Sequence, residues 1–137
     1  MNLQEFKDRV KDEEQFNISI DFDGVIHQHF GVGDGTVSGG IIDGAKDALE
    51  QLSKKYRIIL FTAKAKPDRP LVNGKTGIEL VWEWLEKHDV AKYIHSITSE
   101  KPRAVCYIDD KAVRFVNWQQ TLSDVQEFYS EGTGFSG

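Results

Sequence analysis

Apolar residues recur along the chain in two alternating rhythms, one with the 3.6-residue period of a helix and one with the short continuous runs of a buried strand. Asn2 stands before Leu3, Phe6 and Val10, with Glu5 three places after it, and this spacing predicts a short capped helix. Residues 17–22, rich in Ile, predict a strand. From Asp43, a capping acid, Ala45, Ala48, Leu49 and Leu52 share one face and predict a helix ending near Lys54. Residues 57–61 are a continuous apolar strand, as expected where both faces of a parallel sheet are covered. Thr76-Gly77-Ile78-Glu79 reads as a capping box opening a helix whose core face is Ile78, Val81, Trp82 and Leu85. Trp82 and Trp84 read as packing residues. Short strands follow at 94–98 and 104–108, and Thr121 caps a last helix carrying Leu122, Val125, Phe128 and Tyr129.

The stretches between these elements are polar or glycine-rich. Residues 27–40 hold five glycines and predict a flap, while the Gly- and Ser-rich residues 130–137 predict a fraying tail. Strands alternating with helices give an α/β expectation: a Rossmann-like, mainly parallel sheet with helices on both faces, three layers in all, and right-handed crossovers. The length of 137 residues accommodates one domain over 1–137, burying roughly two-thirds of its unfolded surface.

Composition narrows the class of protein. An apolar fraction of 39% with eight Phe, four Tyr and three Trp is that of a globular chain. No apolar run reaches the roughly 18 residues of a membrane span, and the charged N-terminus does not read as a signal peptide, so the expected location is the cytoplasm. The lone cysteine, Cys106, sits in an apolar run; it can form neither a disulfide framework nor a zinc site and is expected to be buried. A net charge of −5 weighs against broad nucleic-acid binding, which is driven by neutralising phosphates. Lys64, Lys66, Arg69 and Lys75 nonetheless gather in one loop, which either meets an anionic substrate or is simply solvated.

The candidate chemistry lies where the apolar strands stop. Asp21 and Asp23 follow the first, Thr62 the second, and Asp109 and Asp110 the fourth, and ligands of parallel sheets bind beyond these carboxyl ends. Four carboxylates in one crevice repel each other, and a hard divalent cation, Mg2+, relieves that repulsion through oxygen ligands. One carboxylate can attack a phosphoryl group. A second, two residues on, can protonate the departing oxygen and then activate water, the spacing of Asp21-Phe22-Asp23-Gly24. Lys101 and the Thr62 hydroxyl are candidate donors to the phosphoryl oxygens.

These motifs resemble, in order, the four of the haloacid dehalogenase superfamily: Asp21-Phe22-Asp23-Gly24-Val25-Ile26, Thr62 at the end of Ile58-Ile59-Leu60-Phe61, Lys101 before Pro102, and Asp109-Asp110 after Tyr107-Ile108. The match covers residues 17 to 111. The resemblance implies a Mg2+-dependent phosphatase with Asp21 as nucleophile and Asp23 as acid/base. It implies metal ligation by Asp21, the Asp23 backbone carbonyl and the 109–110 pair, with Asp110 aligning better with the direct ligand and Asp109 acting through water or a hydrogen bond. The segments after the first motif and after Thr62 are too short for a full cap domain. That implies an open site, suited to a phosphorylated small molecule, a phosphorylated polymer end, or closure by another subunit.

Other signals carry less. Gly74-Lys75-Thr76 resembles the end of a P-loop, but Arg69 stands where that motif needs glycine. Gly31, Gly33 and Gly35 do not open a helix after a strand and read as flap turns. His27 and His29 flank the first motif without the partners of a zinc site, and His27 is a candidate substrate contact. Lys111 and Arg114 read as salt-bridge partners of the acidic pair, and Tyr107 and Phe115 as core. The leading function is phosphomonoester hydrolysis through an aspartyl-phosphate. The alternative is a non-catalytic metal- or phosphate-binding module, or a subunit of a larger assembly.

Overall fold

The computed structural model describes residues 1–29 and 35–131. Residues 30–34 of the expected flap, with Gly31 and Gly33, and 132–137 of the expected tail lie outside the described residues. Among the described residues four α-helices, α1 (Leu3–Phe16), α2 (Ala45–Ser53), α3 (Gly77–Lys87) and α4 (Trp118–Glu131), accompany four strands, β1 (Asn17–Asp21), β2 (Arg57–Phe61), β3 (Ile94–Thr98) and β4 (Tyr107–Ile108). Ser130 and Glu131, expected in the tail, are the last residues of α4.

The strands form one all-parallel sheet in the order β3-β2-β1-β4. The chain runs from β1 through β2 to β3 in one direction and then returns across the sheet to place β4 on the other side of β1. Two successive crossovers run in the same direction, and with the usual right hand for both they put α2 and α3 on one face. Ile18, Ile20, Ile58 and Leu60, which share a face by the two-residue period, join Leu49 of α2 and Val81, Trp84 and Leu85 of α3 in the core.

Helix starts follow capping chemistry, with two corrections. The Asn2 side chain accepts the Glu5 N–H at 2.8 Å, and Thr76 and Glu79 form a reciprocal capping box. Asp43 does not cap α2: Gly44, left-handed at φ +83°, turns the chain so that the helix begins one residue later without a side-chain cap. Thr121 does not start α4 either. Asn117 takes that place, accepting the Gln120 N–H at 2.8 Å, while the Thr121 hydroxyl donates back to the Asn117 carbonyl.

The larger correction concerns β4. Only Tyr107 and Ile108 are regular strand, although Val105 donates to the Asn17 carbonyl and the Cys106 carbonyl accepts from Ser19. Cys106, Tyr107 and Phe115, all expected in the core, are exposed. Among the described residues β4 is an edge strand, and both of its residues are exposed. The apolar stripe of α4 is exposed too, Trp118 by 70%. In α3, Val81 and Leu85 are buried as expected and Trp84 joins them, whereas Ile78 and Trp82 face outward.

Candidate active site

The return of the chain at β4 makes the gap between β1 and β4 the switch point of the sheet, where parallel α/β folds open a crevice. The register pairs Ile20 with Ile108, so the next residues along the two strands are Asp21 and Asp109. Asp21, Asp109 and Asp110 each bring a carboxylate oxygen within 4.8 Å of the others. Gly24, at φ +84°, turns the chain just past β1, and a Cβ there would collide with the Asp110 carboxylate. Glycine is thus required at that position to bring the first acidic segment against the last.

Burial and the neighbouring Asp109 charge push the Asp21 carboxyl up to about 6, with Asp110 and Asp23 adding to the rise against the Phe22 N–H bond. No lysine or arginine side chain forms an ion pair with this trio among the described residues. Lys111 meets Asp109 only through its backbone N–H, at 2.8 Å, and neither its ammonium nor the Arg114 guanidinium pairs with the acids. A set of hard carboxylate oxygens with no cationic partner among the described residues could hold a divalent cation.

Asp23, expected in the same cluster, has its side chain elsewhere. Its Oδ2 accepts from the Lys64 ammonium at 2.6 Å and its Oδ1 from His27 Nδ1 at 2.8 Å. Burial pushes the Asp23 carboxyl up, but these two donors, together with the Lys64 charge, outweigh it and hold the group below the usual carboxylate range. The four-acid crevice is therefore a three-acid cluster beside a separately neutralised aspartate.

His27, the candidate substrate contact, is 2% exposed, so its ring is withdrawn from the solvent side of the site. Its Nε2 accepts the Gly39 N–H at 2.9 Å, which leaves the ring proton on Nδ1 for Asp23. The ring stacks on Phe22 at 5.0 Å and meets the edge of Trp84, whose Nε1 donates to the Gly39 carbonyl at 2.9 Å. Trp84 is a packing residue, as its position suggested, but one that also braces the segment holding His27. His29 is more open, with Nδ1 3.8 Å from Asp23 Oδ1. Asp23, His27 and His29 lie close enough to hold a metal. With both His27 nitrogens bonded and an ammonium on Asp23, Asp23 and His27 form a hydrogen-bond network instead.

Thr62 is buried, and its hydroxyl oxygen accepts the Lys64 N–H at 3.2 Å, capping a short 3-10 turn, Ala63–Ala65. This turn carries Lys64 inward. A Cβ on Gly77 would strike the Lys64 carbonyl, so the start of α3 presses directly on that backbone. Lys101 is exposed, its ammonium 4.6 Å from the centre of the Tyr107 ring, and it makes no ion pair among the described residues. The lysine brought to the first motif is Lys64. Its sequence signal was only its place two residues after Thr62, within a run of cations. The rest of that run divides: Lys75 pairs with Glu83 at 2.8 Å, and Asn73-Gly74, both at positive φ, form the tight turn that joins Val72 to Lys75.

No helix among the described residues is long and apolar enough to cross a membrane. Comparison of the chain with protein-family models, curated proteins and solved structures finds no match.

Proposed function

We propose that the chain is a phosphomonoester hydrolase of the haloacid dehalogenase type, with a three-layer Rossmann-like arrangement and an open, capless site. The observation that carries this reading is the meeting of Asp21 with Asp109 and Asp110 at the switch point of a parallel sheet, with the Asp21 carboxyl pushed up to about 6 by burial and by its acidic neighbours. Asp21, Asp109 and Asp110 are the side chains that would hold Mg2+. The ion supplies charge neutralisation for an approaching phosphate dianion.

Asp21 attacks the phosphorus through a carboxylate oxygen, and the ester P–O bond breaks as the leaving oxygen takes a proton from Asp23. Asp23, now a carboxylate, removes a proton from the water that attacks the acyl phosphate, releasing phosphate and the free Asp21 side chain. The Thr62 hydroxyl and Lys101 are the proposed donors to the phosphoryl oxygens. Lys64 and His27 hold Asp23 between them and set its orientation.

The alternative, a non-catalytic metal- or phosphate-binding module or a subunit of a larger assembly, is favoured by one observation. In the resting structure Lys64 keeps Asp23 in its ionised form, which cannot act as an acid. Hydrolysis of an aryl phosphate, with and without Mg2+, separates the two. Metal-dependent turnover lost in Asp21→Asn supports the hydrolase; absence of turnover across aryl, sugar and nucleotide monoesters supports the binding module.

A further inference from the structure

A cavity of about 160 Å³ is lined by Gly35, Lys64, Arg69, Pro70, Val72 and Leu80, with Gly77 at the start of α3. A cavity of about 150 Å³ takes a group the size of benzene. The cavity shares a residue with the acid/base apparatus: Lys64 forms part of its wall while its ammonium sits 2.6 Å from Asp23 Oδ2. In the reaction proposed above, the oxygen that Asp23 protonates belongs to the leaving group. Among the described residues Lys64 is the one that links the cavity wall to Asp23, and on that link we place the leaving group.

Its charge is one-sided. Of the four cations in the 64–75 stretch, Lys64 is paired with Asp23 and Lys75 with Glu83, and Lys66 is exposed. Arg69 lines the cavity, is half-buried, and has no carboxylate partner among the described residues. A partly desolvated guanidinium with no carboxylate partner among the described residues gains from an incoming oxyanion, and its planar fork suits carboxylate or phosphate in a two-pronged contact. The remaining walls, Pro70, Val72 and Leu80, are apolar and suit a short carbon skeleton.

We propose that this cavity receives the leaving group of the substrate and that Arg69 selects leaving groups bearing a second oxyanion, so that the preferred substrates are small phosphate monoesters carrying a further carboxylate or phosphate. The proposal rests on the hydrolase reading for the assignment of the leaving-group side. The test compares 3-phosphoglycerate and propane-1,3-diol bisphosphate with glycerol 3-phosphate, as kcat/KM in wild type, Arg69→Met and Arg69→Lys. Wild type favours the two esters with a second oxyanion, and that preference falls about tenfold or more in Arg69→Met, chiefly through KM. Arg69→Lys, a point charge without the fork, keeps an intermediate preference. The carboxylate and bisphosphate arms show which oxyanion the guanidinium takes. An unchanged preference in Arg69→Met overturns the proposal while leaving the hydrolase reading intact.

A binding measurement makes the two failures distinguishable. Calorimetric titration of the same three esters into Asp21→Asn and into Asp21→Asn/Arg69→Met reads the cavity without turnover. Tighter binding of the second-oxyanion esters, lost in the double variant, supports the Arg69 site even if no ester is hydrolysed. Equal affinities for all three esters in Asp21→Asn overturn it.

Discussion

The Lys64 ammonium lies 2.6 Å from Oδ2 of Asp23, joining two residues 41 positions apart in the chain. The Lys64 side chain is 8% exposed and that of Asp23 is 24% exposed, so the pair is largely withdrawn from water. Such a pair contributes little by forming, but removing one partner leaves the other charge stranded.

Lys64→Met is therefore expected to lower stability at neutral pH by about 2–3 kcal/mol, somewhat below the loss for a fully buried pair. The sign with pH follows from the depressed Asp23 carboxyl. Its contribution is present above the ordinary carboxylate range and is lost as pH falls through the lower folded value. Urea denaturation of both proteins at pH 7 and near pH 3 checks this: the difference shrinks in acid. A difference of the same size at both values shows that packing of the lysine stem, not its charge, is responsible.

His27→Phe keeps the stacking on Phe22 but removes the Asp23 donor and leaves the buried Gly39 N–H without its acceptor. An orphaned buried amide costs roughly 1–3 kcal/mol. Thermal and chemical denaturation should show a loss in that range. In hydrolysis assays the variant should lose more rate with alkyl phosphates, which need Asp23 as acid, than with nitrophenyl phosphate, which leaves without a proton. Equal losses on both exclude the orienting role.

Cation binding at Asp21, Asp109 and Asp110 competes with a proton. Because the Asp21 carboxyl sits at about 6, it is neutral below that pH, so Mg2+ affinity should rise through pH 6 and level off above it. Titration calorimetry in buffers of different ionisation enthalpy should record proton release that fades as pH increases. The metal-free protein should in turn lose stability as pH rises from about 4 to above 6, since a raised acid favours the fold only while it is protonated. Asp109→Asn, which removes one cause of the rise, should move the transition to lower pH.

Gly24→Ala places a methyl group against the Asp110 carboxylate and strains a backbone at φ +84°. The left-handed strain alone is worth about 1–2 kcal/mol. The variant should bind Mg2+ more weakly than it loses stability, because the collision displaces a ligand. Mg2+ affinity unchanged from wild type argues that Asp110 does not contribute to the cation site.

Much of the framework is local and was therefore legible. The capping box at Thr76 and Glu79 satisfies backbone donors within a single turn, and the apolar runs of β1 and β2 are those of strands buried on both sides. Asp21 and Asp109 could be picked out because a charged residue ending such a run has no packing role. The same logic failed at β4. Its apolar run reads like the others, yet the burial of Tyr107 and Cys106 depends on whether a strand or helix lies beside it, and that is a property of the sheet order.

Sequence by itself determined the alternation of strand and helix, the parallel sheet this implies, and the positions at which acidic side chains leave the strands, since each depends on residues a few places apart. Only the tertiary structure decided how those acids divide. The register of β1 against β4 sets Asp21 beside Asp109, while a 3-10 turn after Thr62, pressed on by Gly77, carries Lys64 rather than Lys101 to Asp23. Charge balance in a crevice depends on which donors reach it through space, and nothing in the spacing of residues along the chain encodes that distance.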